Sequence, residues 1–300
     1  MRVLLTGANG LLGQKLVPLF LKEHKHDLLA TGRGPKRFDL DARYAKLDVY
    51  DPVNVAAVFD GFKPEVLINT AAMTNVDQCE LNQKECHEAN VISVKILSEA
   101  CGMHNTFMVH LSTDFIFDGS HGPLTEDETA SPVNYYGTTK LEAENVIKTS
   151  GISWAIARTV LVYGVVQDMS RSNIILWVRD NLRQNKKIKV VNDQWRTPTL
   201  AEDLAMGCYL IADKKAVGIF NISGKDFLTP YRMACYTAEF FGLDKNLIEE
   251  VDSTIFKQPA ERPLKTGFVI EKARKMLGYE PHSFKEGIEI IATQVEVINQ

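Results

Sequence analysis

Short apolar runs alternate with amphipathic stretches through the first half of the chain. Val3-Leu4-Leu5 within Arg2–Thr6 reads as a buried parallel strand, and helical spacing follows over Gln14–Lys22. The same pattern predicts strands at Asp27–Thr31, Tyr44–Asp48, Val66–Asn69, Phe107–Ser112 and Trp154–Thr159. Between them it predicts helices over Asp51–Phe59, from about Leu81 to Met103, and around Tyr136 and Lys140. Alternation of this kind predicts an α/β fold, a doubly wound parallel sheet with helices on both faces. Later the pattern changes. Helical stretches near Ser172–Gln184, Ala201–Ala212 and Pro230–Phe241 are separated by short strand-like pieces at Lys189–Val191 and Gly218–Ile222.

The first strand runs into Gly7-Ala8-Asn9-Gly10-Leu11-Leu12-Gly13. Strand, glycine turn and helix in this order form the dinucleotide-binding signature. Gly7 allows the tight turn, and a pyrophosphate meets backbone N–H groups at Gly10, Leu11 and Leu12. Gly13 lets helix and strand pack closely. The expected organisation is a Rossmann domain over 1–164 plus 188–222. A smaller, mainly C-terminal α/β substrate domain over 165–187 plus 223–300 completes it.

Composition narrows the function. Of 300 residues 45% are hydrophobic and 24% charged, an ordinary globular balance that supports a sizeable core. The net charge of −4 offers no basic field, so neither nucleic acid nor an anionic membrane surface is an expected partner. No apolar run reaches membrane-spanning length and the N-terminus enters a strand at once, so a cytoplasmic protein is expected. Cys79, Cys86, Cys101, Cys208 and Cys235 form no C-x-x-C pair and have no histidine at metal-ligand spacing. They are expected to be reduced thiols, and no metal is expected.

Tyr136 and Lys140 are spaced one helical turn apart and share a face. A free tyrosine titrates near ~10, and a neighbouring ammonium lowers that value. The pair is therefore a candidate acid–base unit for chemistry at a carbonyl or alcohol. Other marked residues fall at strand ends, where ligands of such sheets bind. After the second strand stands Arg33, with Lys36 and Arg37 behind it, where NAD enzymes carry an acid. This predicts NADP(H), with NAD(H) left open. Asp48 and Val49 are placed to meet the adenine, and Thr70, Ala71 and Ala72 are small enough for a cofactor to lie against the backbone. Thr113, at the end of the fifth strand, is the third member of the candidate catalytic set.

On these segments the chain resembles an extended short-chain dehydrogenase/reductase, and more closely the dTDP-4-dehydrorhamnose reductase family. The resemblance is carried by Thr6–Gly13, Asn69–Asp77, Leu111–Gly119, Tyr136–Leu141 with Glu144, Arg158–Gly164, Asp193–Thr199 and Arg262-Pro263. It implies an NADPH-dependent reductase in which Lys140 binds the nicotinamide ribose, Tyr136 protonates the substrate carbonyl and Thr113 steadies the oxyanion. The nucleotide sugar would meet Thr113, Asp114 and Leu161. Its diphosphate would lie near Arg196, Lys257, Arg262 and Lys265. A homodimer is left open. The chain departs from the family where Val160-Leu161 replaces Ser-Trp, Met73 a tyrosine and Arg196 a glycine. Two rival functions stand beside reduction. One is a nucleotide-sugar dehydratase or epimerase, although Phe115 stands where a dehydratase carries its second carboxylate. The other is a non-catalytic NADP-binding subunit of the kind that regulates methionine adenosyltransferase.

Overall fold

A computed structural model describes residues 1–166 and 173–298. The first half runs β1 (Arg2–Thr6), α1 (Leu11–Glu23), β2 (Asp27–Gly32), β3 (Tyr44–Lys46), α2 (Pro52–Phe62) and β4 (Val66–Asn69). Then follow α3 (Val76–Leu81), α4 (Gln83–His87), α5 (Ser93–His104), β5 (Phe107–Thr113), α6 (Tyr135–Thr149) and β6 (Trp154–Thr159). The second half holds β7 (Val162–Tyr163), α7 (Ile174–Arg183), β8 (Ile188–Val191), β9 (Thr199–Leu200), α8 (Ala201–Lys214) and β10 (Gly218–Asn221). It ends with α9 (Pro230–Phe240), β11 (Ile248–Val251), α10 (Glu271–Leu277) and α11 (Phe284–Ile298).

Seven parallel strands form the main sheet in the order β10-β6-β5-β4-β1-β2-β3. Period-two alternation divides its apolar side chains between two layers. Val3, Leu5, Ile68 and Val109 pack against α1, α8 and α10, while Leu4, Leu67 and Met108 pack against α2, α5 and α6. The strand order reverses between β1 and β4, which opens a crevice at their carboxyl ends.

A smaller lobe is built on β8, which pairs in parallel with β11. Ile188, Val190 and Ile248 of this ribbon pack on Val178 and Leu182 of α7 and on Ala234 and Ala238 of α9. This corrects the expected division at two places. Residues 188–191 belong to the small lobe, whereas α10 packs through Ala273 and Leu277 on the large sheet's core. Ser172, the expected start of the helix after the sixth strand, lies outside the described residues, and α7 is described from Ile174. The single helix expected from Leu81 to Met103 is a chain of pieces. Asn82, at φ −125° and ψ 62°, interrupts it, and Glu88–Ile92 forms a π-helical turn.

Candidate active site

The glycine turn leaves the start of α1 bare. Gly10 is the N-cap, no side chain caps the helix, and its first turn holds no acid. Its free N–H groups therefore suit an anion. The turn is locked by close approach. A Cβ on Gly13 would stand 2.4 Å from the Gly7 carbonyl oxygen, and Gly7 itself has φ +71°. Asn9 reaches from this turn to the basic loop after β2. Its Nδ2 donates to the Pro35 carbonyl at 2.9 Å and to the Tyr44 hydroxyl at 3.0 Å, and its Oδ1 accepts from Arg37 N. Tyr44 in turn donates to the Gly34 carbonyl at 2.7 Å. Arg33, Lys36 and Lys46 line the resulting cleft of about 330 Å³. The Arg33 guanidinium also lies over the Tyr50 ring, 5.3 Å from its centre, at the mouth of a second cleft of about 550 Å³ that reaches Ala72 and Met73. Sequence reasoning singled out neither Asn9 nor Lys46. Their signal is the position of Asn9 inside the glycine turn and of Lys46 at a strand end.

Tyr136 meets Thr113 at the carboxyl end of β5, and Lys140, one turn further along α6, reaches the Leu111 carbonyl in the same strand. Asn134 caps α6 by accepting from Gly137 N at 2.8 Å, and Glu80 Oε2 accepts from Tyr135 N at 2.9 Å. Gly137 brings the helix onto the turn after β5, because a Cβ there would stand 2.0 Å from the Phe115 carbonyl oxygen. Burial pushes the Tyr136 phenol above its ordinary value, and its hydrogen bond with Thr113 opposes the shift. Lys140 does not supply that opposition. Its Nζ donates to the Leu111 carbonyl at 2.6 Å and lies 3.1 Å from His110 Nε2. Burial brings the Lys140 ammonium down to about 8. Asn90, in the π-helical turn, spends its amide on Met73 N, Met73 O and Thr139 Oγ1, and so joins the loop after β4 to α6. Cys79 and Cys86 pack beside Tyr136. All five cysteines are free thiols, and four of them are buried.

This constellation on a nucleotide-binding sheet is matched by a family model, the RmlD substrate binding domain, over residues 1–297. The chain belongs to the dTDP-4-dehydrorhamnose reductase family. It is 30% identical to the dTDP-4-dehydrorhamnose reductase of Aggregatibacter actinomycetemcomitans, over 98% of this chain and 99% of that one. It is equally 30% identical to the methionine adenosyltransferase 2 subunit beta of Rattus norvegicus, over 87% of this chain and 78% of the relative. The dTDP-4-dehydrorhamnose reductase of Bacillus anthracis, solved in complex with NADP, has the same fold. It is 24% identical, with a TM-score of 0.83 over 98% of this chain and 99% of that one.

Leu161 stands at φ +37° and is 43% exposed, an apolar side chain in a backbone conformation that L-residues rarely adopt. Val160 is fully buried. Two expected diphosphate contacts have other partners. Arg196 is buried, donates to the carbonyls of Trp195, Pro263 and Leu264, and lies 3.6 Å from Asp114. Arg262 forms a two-pronged pair with Asp77 at 2.6 and 2.8 Å. Asp114 is also buried, accepting from Thr113 and Thr266. Burial raises its carboxyl, with Arg196 opposing. A guanidinium spent on carbonyls and a carboxylate is not free for a phosphate, which is why the sequence positions alone misled. Lys257 and Lys265 are exposed.

Proposed function

We propose that this protein is an NADPH-dependent reductase of a nucleotide-diphosphate-linked 4-keto-6-deoxy sugar, with dTDP-4-dehydro-L-rhamnose the first substrate to test. The observation that carries it is the meeting of Tyr136 with Thr113, with Lys140 one turn on, at the same carboxyl edge of the sheet as the bare N-terminus of α1. The chain's own residues suit the dinucleotide. The N–H groups of Leu11–Gly13 would hold the pyrophosphate, the Gly10 N–H being spent on the Gly7 carbonyl at 2.9 Å, and Arg33, Lys36 and Lys46 would hold the 2′-phosphate. Asp48 and Val49 border the adenosine end, and Thr70, Ala71 and Ala72 give the ring system a small-residue floor. NAD(H) fits the same turn but leaves the basic cleft unused.

When bound, the cofactor supplies the hydride. Tyr136 keeps its proton at neutral pH because it is buried, and it delivers that proton to the carbonyl oxygen as negative charge develops there. Thr113 holds the phenol in line and, by turning its hydroxyl hydrogen from Asp114 to that oxygen, would give it a second hydrogen bond. Lys140 binds the ribose and stabilises the phenolate left behind. A sugar would pass Leu161 and reach Asp114 only through its neighbours, because Asp114 is enclosed. Loss of NADPH absorbance across a panel of nucleotide-linked 4-keto-6-deoxy sugars tests this reading. Turnover with at least one is expected.

A second reading is favoured by one group of contacts. Arg196, at a position where the family carries glycine, fills the space between Asp114 and Phe115, and Phe115 packs edge-on against Tyr136. That filling, with identity to the methionine adenosyltransferase subunit at the same level as to the reductase, suits a cofactor-binding regulatory subunit. A protein that binds NADPH and turns over no sugar in the panel would favour it.

A further inference from the structure

A row of polar side chains crosses three neighbouring strands of the main sheet at one register. Thr6 of β1 stands beside Asn69 of β4, and Asn69 beside His110 of β5. All three are essentially sealed from solvent. Thr6 Oγ1 lies 2.6 Å from Asn69 Oδ1, Asn69 Nδ2 3.1 Å from His110 Nδ1, and His110 Nε2 3.1 Å from Lys140 Nζ. The row therefore ends on the lysine of the proposed site.

The proton order along this row follows from one group that has no choice. Ala71 N is a backbone donor, and it points at the Asn69 side chain with its acceptor 3.3 Å away. The atom facing it must be the amide oxygen, which also accepts from Thr6. The Asn69 NH₂ is then turned to His110, so His110 Nδ1 accepts. A neutral imidazole carries a single N–H, which is left on Nε2 and aimed at Lys140. The doubly protonated ring would add a second donor against Asn69 and a second charge beside Lys140. Burial, the larger cause, holds His110 well below its ordinary titration range, so the ring is neutral. An Nε2–H cannot bond an ammonium. It can bond an amine, whose lone pair accepts while one of its own hydrogens goes to the Leu111 carbonyl.

We propose that His110 is a positioning residue that, through an Nε2–H donated to Lys140 Nζ, favours the amine form of the lysine over the ammonium in the cofactor-free protein. The surroundings of Lys140 agree. The nearest carboxylate on its own helix, Glu144, is occupied by Arg158 at 2.8 and 2.9 Å and by Lys148 at 2.9 Å. From α3 and α4 only the thiols of Cys79 and Cys86 face it, and from α6 the phenol of Tyr136. Among the described residues, Glu144 and the Cys86 thiol, which its hydrogen bond with Cys79 helps bring down to about 7, are groups that favour an ammonium there, and burial outweighs them. The lysine gains its proton when anionic cofactor arrives, so charge appears at the site together with the hydride donor. Only this last consequence rests on the reductase reading. The hydrogen-bond order does not.

The test needs no turnover. Long-range ¹⁵N–¹H correlation spectra of the cofactor-free protein should show His110 with its proton on Nε2, unchanged from pH 6 to 9 as the usual imidazole window is crossed (~6.5). In lysine-¹³Cε-labelled protein, Lys140 should titrate well below exposed lysines. His110→Phe should raise its midpoint by roughly one pH unit, while His110→Gln, which keeps an N–H donor, should restore much of the depression. A proton found on His110 Nδ1, or a Lys140 midpoint unmoved in a folded His110→Phe, overturns the proposal. If His110→Phe does not fold, the wild-type tautomer decides alone. If no sugar is reduced yet the tautomer is as stated, the reductase reading fails and this one stands.

Discussion

Tyr136 is protonated more firmly in the folded chain than in water, because burial removes the solvent that would stabilise a phenolate. Burial keeps the phenol in its acid form but makes it a weaker acid, so transfer to the carbonyl depends on the charge that develops on that oxygen and on a cation near the phenolate left behind. Tyr136→Phe should keep cofactor affinity and lower turnover by about 10²–10⁴. Unchanged turnover on a sugar that the wild type reduces would remove Tyr136 from the mechanism. At the other end of the crevice, Arg33 has no carboxylate partner within salt-bridge reach among the described residues and lies over Tyr50. Titration should show NADPH preferred to NADH. Arg33→Ala should remove most of the difference, on the order of 1.5–3 kcal/mol for a charge-assisted bond to phosphate. Equal affinities in the wild type would sink the assignment. The residue types were legible from spacing and strand-end position, but the partners were not. Lys140 was expected to act on Tyr136, and in the cofactor-free protein its Nζ meets Leu111 and His110. Arg196 and Arg262 were expected to face a diphosphate, and each is engaged by a group far away in the chain, Pro263 for Arg196 and Asp77 for Arg262, which no local pattern displays.

Elements position these residues more tightly than propensity alone requires. α6 carries a glycine in its first turn, and an alanine there would ordinarily add about 1 kcal/mol of helix stability. Here the sign reverses. The new Cβ would stand 2.0 Å from the Phe115 carbonyl oxygen, a backbone atom that cannot swing aside. Gly137→Ala should lower the melting temperature and displace Tyr136 from Thr113, with kcat falling more than KM rises. A variant as stable and active as the wild type would show that the approach of α6 to the β5 turn is not what sets the site. Strands at Val66–Asn69 and Trp154–Thr159 were read from the sequence at their observed bounds, because their side chains are apolar on both sheet faces. The helix expected from Leu81 to Met103 was read too simply. Its apolar spacing continues through the π-helical turn, and only the tertiary bonds of Asn90 reveal why a wider turn occurs there.

At the scale of the molecule, α3 is where the segment around Arg262 is tied down. Asp77 of α3 holds Arg262 and also accepts from Ala260 N, while Glu80 of the same helix accepts from Tyr135 N. Four residues past Arg262, Thr266 donates to Asp114, the neighbour of Thr113. The Arg262 hydrogen bonds keep the Asp77 carboxyl below its ordinary range, with burial opposing. A carboxyl depressed in the folded state contributes stability above its unfolded value of about 3.9, and that contribution is lost as pH falls through the folded value. Asp77→Asn keeps the shape and removes the charge. Its melting temperature should lie below the wild type's near neutral pH, and the gap should close as pH is lowered into the acid range. The same variant should raise KM for the sugar more than KM for NADPH, since the loosened segment borders Asp114 and not the glycine turn. A gap that stays constant with pH would show that the Asp77–Arg262 pair contributes packing rather than charge. Equal changes in the two KM values would show that α3 braces the whole crevice rather than its substrate side.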